Sequence, residues 1–281
     1  MKAYIYSLIT IFAISLTSCL EDKGYTDIVE SVRADKDGMV SFYGGNAGVT
    51  TFGVITEPGL QNFTVKVNFG FNTAATEDIT VTVADDLTLV SKYNTANKTS
   101  YVSMASANFV FPSQSVVIKA GERDATFTVQ VKNGETFDIA NRYLLPLVIK
   151  DAGGYTIASN LNTAYIVFGV KNAYEANYDA KGVFHHPANG DRPISEVKYL
   201  QTIDLTTVEC NLGDLGGSGY RMQLKINPDN TVTITPAGAT PDIDQHWGPN
   251  TYDPATKKYT LNYSYNTAAP RIVEETLTRQ P

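Results

Sequence analysis

The chain of 281 residues carries 22 Lys and Arg against 29 Asp and Glu, which gives a formal net charge of −7. This acidic balance argues against nucleic acid as the main ligand, because phosphate backbones are bound by basic surfaces. The chain has only two cysteines, Cys19 and Cys210, which excludes a framework of several disulfides. Stability must therefore come from a packed core.

The N-terminus carries the pattern of an export signal. An apolar stretch follows Lys2 and ends at Leu16, directly before the small residues that precede Cys19. The stretch is shorter than the roughly 20 residues that a membrane-spanning helix needs, and it contains several Ser and Thr, which disfavours a transmembrane anchor. The segment resembles bacterial lipoprotein signals. The resemblance implies that residues 1–18 are a signal peptide and that Cys19 is lipidated.

Residues 19–27 are predicted to be a polar tether that begins with the acidic pair Glu21 and Asp22. An acidic stretch at this position resembles the export signal of Bacteroidetes lipoproteins. This resemblance implies an outer-membrane protein, anchored through its lipid, that faces the cell exterior. Once Cys19 is lipidated, Cys210 has no intramolecular partner and should be a free thiol.

The remainder of the chain is predicted to be all-β. It contributes most of the 17 Tyr and 12 Phe, and apolar and polar residues alternate over residues 79–83, 125–131 and 231–235. Turn signals recur about every ten residues, a spacing typical of sandwiches and barrels. Pro146 cannot donate a ladder hydrogen bond, so its strand is predicted to be an edge strand or bulged.

A polar segment divides the chain into two domains. Residues 28–170 are predicted to form an Ig-like β-sandwich, and residues 171–177 a linker that allows relative motion. Residues 178–281 are predicted to form a smaller antiparallel domain, either barrel-like or a curled sheet, because closure depends on strand stagger. Its predicted strands are Val183–His186, Val197–Thr206, Tyr220–Ile226, Thr231–Thr235, Lys258–Tyr265 and Arg271–Leu277.

Strand and turn motifs in both halves resemble a known pair of domains. Residues 78–83, 116–121 and 143–147 resemble an N-terminal domain of unknown function that is common in Bacteroidetes lipoproteins. Residues 182–186, 220–222, 227–232 and 250–257 resemble the C-terminal domain of unknown function that accompanies it. These lipoproteins sit in polysaccharide-utilisation loci. The resemblance therefore implies glycan capture or presentation beside the other proteins of an outer-membrane uptake complex.

The sequence predicts neither an enzyme nor a cofactor. Some relatives of the N-terminal domain carry a glycoside hydrolase barrel, but a barrel of about 250 residues does not fit after residue 177. Asp242 and Asp244 would share one strand face at a spacing that suits paired carboxylates, yet nothing in the sequence marks a raised pKa. His185 and His186 point to opposite faces of a strand, so no metal site is predicted.

The best candidate binding segment surrounds the single tryptophan, Trp247. A sugar ring needs a flat aromatic face and polar groups for its hydroxyls, and this loop supplies both. The predicted ligand-binding residues are Trp247, Tyr252, Gln245, His246 and Asn250. In the alternative interpretation, Trp247 plugs one end of the domain. The chain is then an assembly component that binds a partner protein through a strand edge or an apolar patch.

Overall fold

The computed structural model describes residues 36–44 and 49–281. The predicted signal peptide and the lipidation site at Cys19 lie outside the described residues. The described part forms two β-rich domains with a single α-helix, which confirms the predicted all-β fold class. Within this part of the chain, no helix is long and apolar enough to cross a membrane.

The N-terminal domain is a sandwich of two curled sheets. Its strands are β1 (Lys36–Phe42), β2 (Val49–Ile55), β3 (Gln61–Gly70), β4 (Ile79–Asp85), β5 (Val102–Ser103), β6 (Phe109–Val110), β7 (Ser115–Ile118), β8 (Asp124–Val131), β9 (Arg142–Asp151), β10 (Tyr155–Ile157) and β11 (Thr163–Lys171). One sheet has the order β10-β1-β3-β8-β6 and the other β2-β11-β9-β4-β7, with β5 beside β9. The inward-facing residues of both sheets form a single apolar core.

The domain also contains a helix that the sequence analysis did not predict, α1 (Leu89–Asn97). The Asp86 carboxylate accepts hydrogen bonds from Thr88 just before the helix begins. Val90 is buried against Leu144 and Val167 on the outer face of the second sheet. The helix thus covers a sheet face that would otherwise expose apolar residues.

Pro146 lies in β9, which has neighbours on both sides and is not an edge strand, but the register of β9 shifts against β4, as the predicted alternative of a bulged strand requires. One side of β9 pairs with β11 along most of its length. Its other side is shared between β5, which pairs with residues 143–144, and β4, which pairs with residues 147–151. Pro146 falls in the gap between these two partners, where the lack of an N–H costs no ladder hydrogen bond.

The C-terminal domain is a nearly closed barrel of eight strands. They are β12 (Ala176–His186), β13 (Gly190–Thr202), β14 (Thr207–Asn211), β15 (Tyr220–Ile226), β16 (Val232–Gly238), β17 (Thr251–Asp253), β18 (Lys258–Tyr265) and β19 (Arg271–Arg279). The order is β16-β15-β14-β13-β12-β19-β18-β17, and a bridge between Thr231 and Thr251 joins its two edges. The sequence analysis missed the short strands β14 and β17.

This meander gives the barrel two distinct ends. The β12–β13 hairpin, the β14–β15 connection, the end of β16 and the β18–β19 turn all lie at one end, which we call the mouth. The opposite end receives the chain from the N-terminal domain.

The domain junction is shorter than the predicted linker, and hydrogen bonds hold it in place. Only four residues separate β11 from β12, and Asn172 among them is 1% exposed. Its side-chain amide donates to the carbonyl oxygens of Asp204 and Thr207, and its Oδ1 accepts from the N–H groups of Tyr174 and Glu175. These contacts fasten the junction to the barrel, and the relative motion of the two domains stays a prediction.

The barrel interior contains a fully buried ion pair. Lys198 Nζ on β13 lies 2.6 Å from Glu275 Oε2 on β19, and both side chains are 0% exposed. The Tyr263 hydroxyl donates to the other oxygen of Glu275 at 2.8 Å. The pair reaches across β12 above Ala180 and Gly182, where a single methyl group and the lack of any side chain leave the necessary space. The charges are therefore paired and hydrogen-bonded, as burial demands.

Glu196, also on β13, is not satisfied in this way. Its Oε1 is buried and has no hydrogen-bond partner among the described residues. Burial raises the pKa of this carboxyl above its usual range, and the nearby charges of Glu275 and Asp214 act in the same direction. Lys198 opposes the shift without cancelling it.

We expect Lys198→Met to destabilise the protein by about 3–5 kcal/mol, because Glu275 would keep a buried charge without a partner. Urea unfolding followed by the fluorescence of Trp247 measures the change. Lys181→Met, at an exposed position of β12, should stay within about 0.5 kcal/mol of the wild type. The double variant Lys198→Met with Glu275→Gln should regain most of the loss. Equal stability of Lys198→Met and Lys181→Met would contradict a structural role for the pair.

Glu196→Gln should stabilise the protein at neutral pH but not in acid. The folded-state pKa of Glu196 lies above its unfolded value, so its ionisation costs stability as the pH rises through and above the unfolded pKa of about 4.3. The advantage of Gln should therefore be present at pH 7 and absent below pH 4. Glu274→Gln, at an exposed position of β19, is the matched control. A gain for Glu196→Gln that does not change with pH would refute this account.

Candidate functional site

Trp247 lies in the loop between β16 and β17, which runs along the outside of β18. Its indole ring is 46% exposed. The indole Nε1 donates a 2.8 Å hydrogen bond to the hydroxyl of Ser264, which is itself buried. This bond holds the ring in one orientation and leaves part of it open to solvent.

The structure does not gather the other predicted binding residues around this ring. The Gln245 side chain bonds to both the N–H and the carbonyl of Ile234, and Asn250 Oδ1 accepts from the N–H of Asn262. Both amides thus stabilise the loop. His246 has a side chain that is 94% exposed, and its Nδ1 contacts the Asp244 carboxylate, so its Nε2 is the nitrogen that it presents to solvent beside Trp247.

Tyr252 is 6% exposed, so the prediction that it assists stacking was wrong. Its ring packs 5.1 Å from that of Tyr174 and 4.7 Å from that of Tyr259, measured between centroids. A position in β17 directs the side chain into the barrel near the domain junction. The sequence analysis did not predict this short strand, and it therefore did not predict that the side chain of Tyr252 points inward.

Asp242 and Asp244 act as turn-forming groups. Asp242 accepts hydrogen bonds from the backbone of Thr267 and Asn266, and Asp244 accepts from the N–H of His246. These bonds hold the pKa of both carboxyls below their usual range. A catalytic acid needs the opposite shift.

The mouth of the barrel contains a cavity of about 310 Å³. Its floor is aromatic: Phe184 is 1% exposed and Tyr265 6%, and the ring of Tyr220 lies 5.5 Å from that of Tyr265. Burial raises the pKa of Tyr265, which keeps its hydroxyl protonated. The cavity is lined by Phe184, His186, Arg192, Leu215, Tyr220, Pro241, Tyr265, Asn266 and Arg271.

Two arginines stand over these rings. The Arg192 guanidinium lies 3.6 Å from the centroid of Phe184, and its Nε and Nη2 each bond an oxygen of Asp214 at 2.6 Å. This contact holds the pKa of Asp214 below its usual range. The Arg271 guanidinium lies 5.7 Å from the centroid of Tyr265 and donates to the carbonyl oxygen of Ala269. The mouth thus combines stacking faces with polar groups at its rim.

The two histidines of β12 have separate roles. His185 Nδ1 lies 2.8 Å from a carboxylate oxygen of Asp191. His186 Nδ1 accepts from the N–H groups of Ala188 and Asn189 in the hairpin turn, and this residue lines the mouth. The described residues contain no group of three or more His, Cys, Asp and Glu side chains suited to a metal ion.

A second cavity, of about 580 Å³, lies between the two domains. On the barrel side, Glu175 bonds to Lys171 at 2.6 Å and accepts from the hydroxyl of Tyr199. Burial acts to raise the pKa of Glu175, but these hydrogen bonds together with that from Thr202 outweigh it and lower the pKa. The charged groups of this groove are therefore largely committed to one another.

Cys210 is a free cysteine with 0% exposure inside the barrel. Burial raises the pKa of its thiol to about 12, so the reactive thiolate is disfavoured. A nucleophilic role is not supported by this environment.

The mouth was missed in the sequence analysis because its residues are scattered over some ninety positions. Each of Arg192, Tyr220, Tyr265 and Arg271 stands next to a chain reversal between strands. This pattern is a usable signal only once the strand order is known, since only the order shows that these reversals share one end.

Comparison with known proteins gives matches to both halves of the chain. A family model described as an N-terminal domain matches residues 34–156, and one described as C-terminal matches residues 162–278. The structure places β11 in the N-terminal domain, although the second match includes it. No curated protein matches the chain.

Comparison with solved structures gives matches from Bacteroides ovatus. A protein of unknown function is 16% identical, with a TM-score of 0.52 over 88% of this chain and 95% of its own. A multidomain protein including DUF1735 is 17% identical, with a TM-score of 0.43 over 85% of this chain and 93% of its own. A candidate carbohydrate-binding protein is 15% identical, with a TM-score of 0.40 over 80% of this chain and 67% of its own.

The likeness at a TM-score of 0.52 supports the same fold over both domains. The chain is therefore a two-domain β-protein whose N-terminal and C-terminal parts each match a domain family, and it is similar in fold to a Bacteroides protein of unknown function.

Proposed function

We propose that the protein is a non-catalytic carbohydrate-binding lipoprotein that presents glycans for uptake at the outer membrane. The observation that carries this proposal is the mouth of the barrel. It brings three aromatic rings together with hydrogen-bonding groups in one concave site.

The chemistry of the mouth suits a sugar. A pyranose ring has an apolar face that packs on aromatic rings, and the half-buried Tyr220 offers such a surface, backed by the buried ring of Tyr265. The hydroxyls of a sugar need directional polar partners, which the amide of Asn266 and the guanidinium groups provide. A volume of about 310 Å³ lies at the small end of the range of ligand sites, roughly 300–1,000 Å³. The site is thus suited to a short part of a glycan chain.

A role without catalysis is supported by the state of the carboxylates. Asp242 and Asp244 have lowered pKa values and hold turns, whereas Glu275 is sealed in an ion pair. Glycoside hydrolysis needs two carboxyls that flank an accessible bond. None of the described residues that line the mouth is Asp or Glu.

The lipid at Cys19 would hold the protein at the membrane surface. Two or three acyl chains, at about 0.8 kcal/mol per buried CH₂, give stable anchoring. Anchoring raises the effective concentration of a binding site beside its partners, which makes weak sugar contacts useful.

We expect the purified protein to bind at least one member of a panel of plant and host oligosaccharides in isothermal titration calorimetry. Tyr220→Ala should weaken this binding about tenfold or more, because a stacking surface of the mouth is lost. Tyr199→Ala, a 48% exposed tyrosine outside the mouth, is the matched control. Trp247→Ala should leave the affinity unchanged. A loss with Trp247→Ala instead would move the site to the loop, and no binding to any sugar would contradict the proposed function.

Cys19→Ser should abolish incorporation of labelled palmitate in a bacterial host and release the protein from the membrane fraction. Cys210→Ser should leave the labelling unchanged, since Cys210 is buried in the barrel. Acylation that persists in Cys19→Ser would contradict the lipoprotein assignment.

A second candidate function is the docking of a partner protein of the uptake complex. It is favoured by four apolar side chains on and just after β13, namely Val197, Tyr199, Ile203 and Leu205, which are 44–56% exposed. Next to them, β13 pairs with β14 at only two positions, so part of its edge is open. Such a surface suits an added strand. Val197→Glu with Leu205→Glu would disrupt docking without affecting sugar binding at the mouth.

A further inference from the structure

The polar groups of the barrel mouth are mainly hydrogen-bond donors. The lining contains two guanidinium groups, two phenolic hydroxyls, an imidazole and an amide, and no carboxylate among the described residues. A site for a neutral sugar normally mixes donors with acceptors, because each hydroxyl group both donates and accepts. The composition of the mouth therefore favours a ligand that is rich in acceptors.

The two arginines of the mouth differ in how their charge is used. Arg192 is neutralised by the bidentate contact with Asp214 and lies flat on Phe184, so it forms part of the wall. Arg271 makes no ion pair among the described residues, and its hydrogen bond to the Ala269 carbonyl occupies one terminal nitrogen. The remaining N–H groups of Arg271 are free to form the fork that binds carboxylate or sulfate oxygens.

The histidine of the mouth also presents a donor. Because His186 Nδ1 accepts two backbone hydrogen bonds from the hairpin turn, the neutral ring carries its proton on Nε2. The carboxylate of Asp242, which follows Pro241 in the chain, accepts hydrogen bonds from the backbone of Asn266 and Thr267 and does not line the cavity. Among the side chains that line the cavity, the charge without an ion-pair partner is therefore the positive charge of Arg271.

The protein as a whole repels anions, with a net charge of −7. The net charge of the protein would therefore not attract an acidic sugar, and its binding would require a local group of positively charged side chains. The mouth supplies that arrangement through Arg271 above the aromatic floor.

We propose that the barrel mouth recognises a sugar with an anionic substituent, a carboxylate or a sulfate, and that Arg271 is the residue that pairs with it. The sugar ring packs on Tyr220, which the buried Tyr265 supports, while its anionic group accepts hydrogen bonds from the guanidinium. This inference rests on the proposed function, because it specifies the class of glycan that the same site takes.

The test compares three probes by calorimetry with the purified full-length protein: trigalacturonic acid, a sulfated galactobiose and neutral galactotriose. We expect at least one anionic probe to bind more tightly than galactotriose, and its affinity to fall as salt is raised. Preference for trigalacturonic acid identifies a carboxylate site, and preference for the sulfated sugar identifies a sulfate site.

Arg271→Gln should weaken binding of the preferred anionic probe about tenfold to a hundredfold, as expected for a charge-assisted hydrogen bond, while galactotriose is unaffected. Arg271→Lys should retain part of the affinity because it keeps the charge. Arg142→Gln, which removes an exposed arginine that lines the interdomain groove, controls for the change in net charge. Thermal unfolding verifies that each variant is folded.

Two outcomes overturn the inference. If galactotriose binds as well as the anionic probes and Arg271→Gln changes nothing, the mouth is a neutral-sugar site and only the proposed function survives. If Arg142→Gln and not Arg271→Gln loses the anionic probe, the anion site lies in the groove. Absence of binding for all three probes and for the wider sugar panel refutes both proposals together.

Discussion

The buried contact between Lys198 and Glu275 is the constraint around which the barrel is organised. Lys198 comes from β13 and Glu275 from β19, and the two strands flank β12. A slip of either strand by one residue would turn a charged side chain outward and leave the other buried without a partner. The pair therefore specifies the register of three adjacent strands, and small residues on β12 give it the space it needs.

The positions of the functional groups follow from that register. With the strands fixed, the chain reversals that carry Arg192, Tyr220, Tyr265 and Arg271 converge at the mouth. The loop that carries Trp247 lies along the seam between β16 and β18, where its indole bonds to Ser264. The same arrangement sends Tyr252 into the core near the junction. Candidate binding groups are thus separated into an open mouth and a half-exposed ring on the barrel wall.

The junction gives the mouth a defined direction. Asn172 is held by backbone groups of the barrel, and the N-terminal domain attaches at the end opposite the mouth. If the chain is anchored by lipid as we propose, the N-terminal sandwich would be a spacer between the membrane and the mouth. The distribution of charge is consistent with selective binding, because the one unpaired arginine of the mouth stands on an otherwise acidic protein.

The sequence by itself determined the fold class, the two domains and most of the strands. Alternation at residues 79–83, 125–131 and 231–235 corresponds to β4, β8 and β16, since period-two burial is a local property of the chain. Helix α1 was not predicted because its buried side consists of Val90 and a few neighbours, so the sequence shows little helical periodicity there. For Pro146 the local rule left an edge strand and a bulged strand open, and the structure accommodates the proline between two partner strands, in a strand whose register shifts against β4.

The candidate site was decided by tertiary structure. Trp247 and Tyr252 are close in sequence, yet a three-residue strand turns one of them into the core. The residues of the mouth are distant in sequence and meet only because the meander closes into a barrel. Composition and periodicity report on neighbours along the chain, and closure is a relation between strands far apart in it. The sequence could therefore predict a β-barrel-like domain that is rich in aromatic residues, but only the closed sheet determined which of them line a cavity.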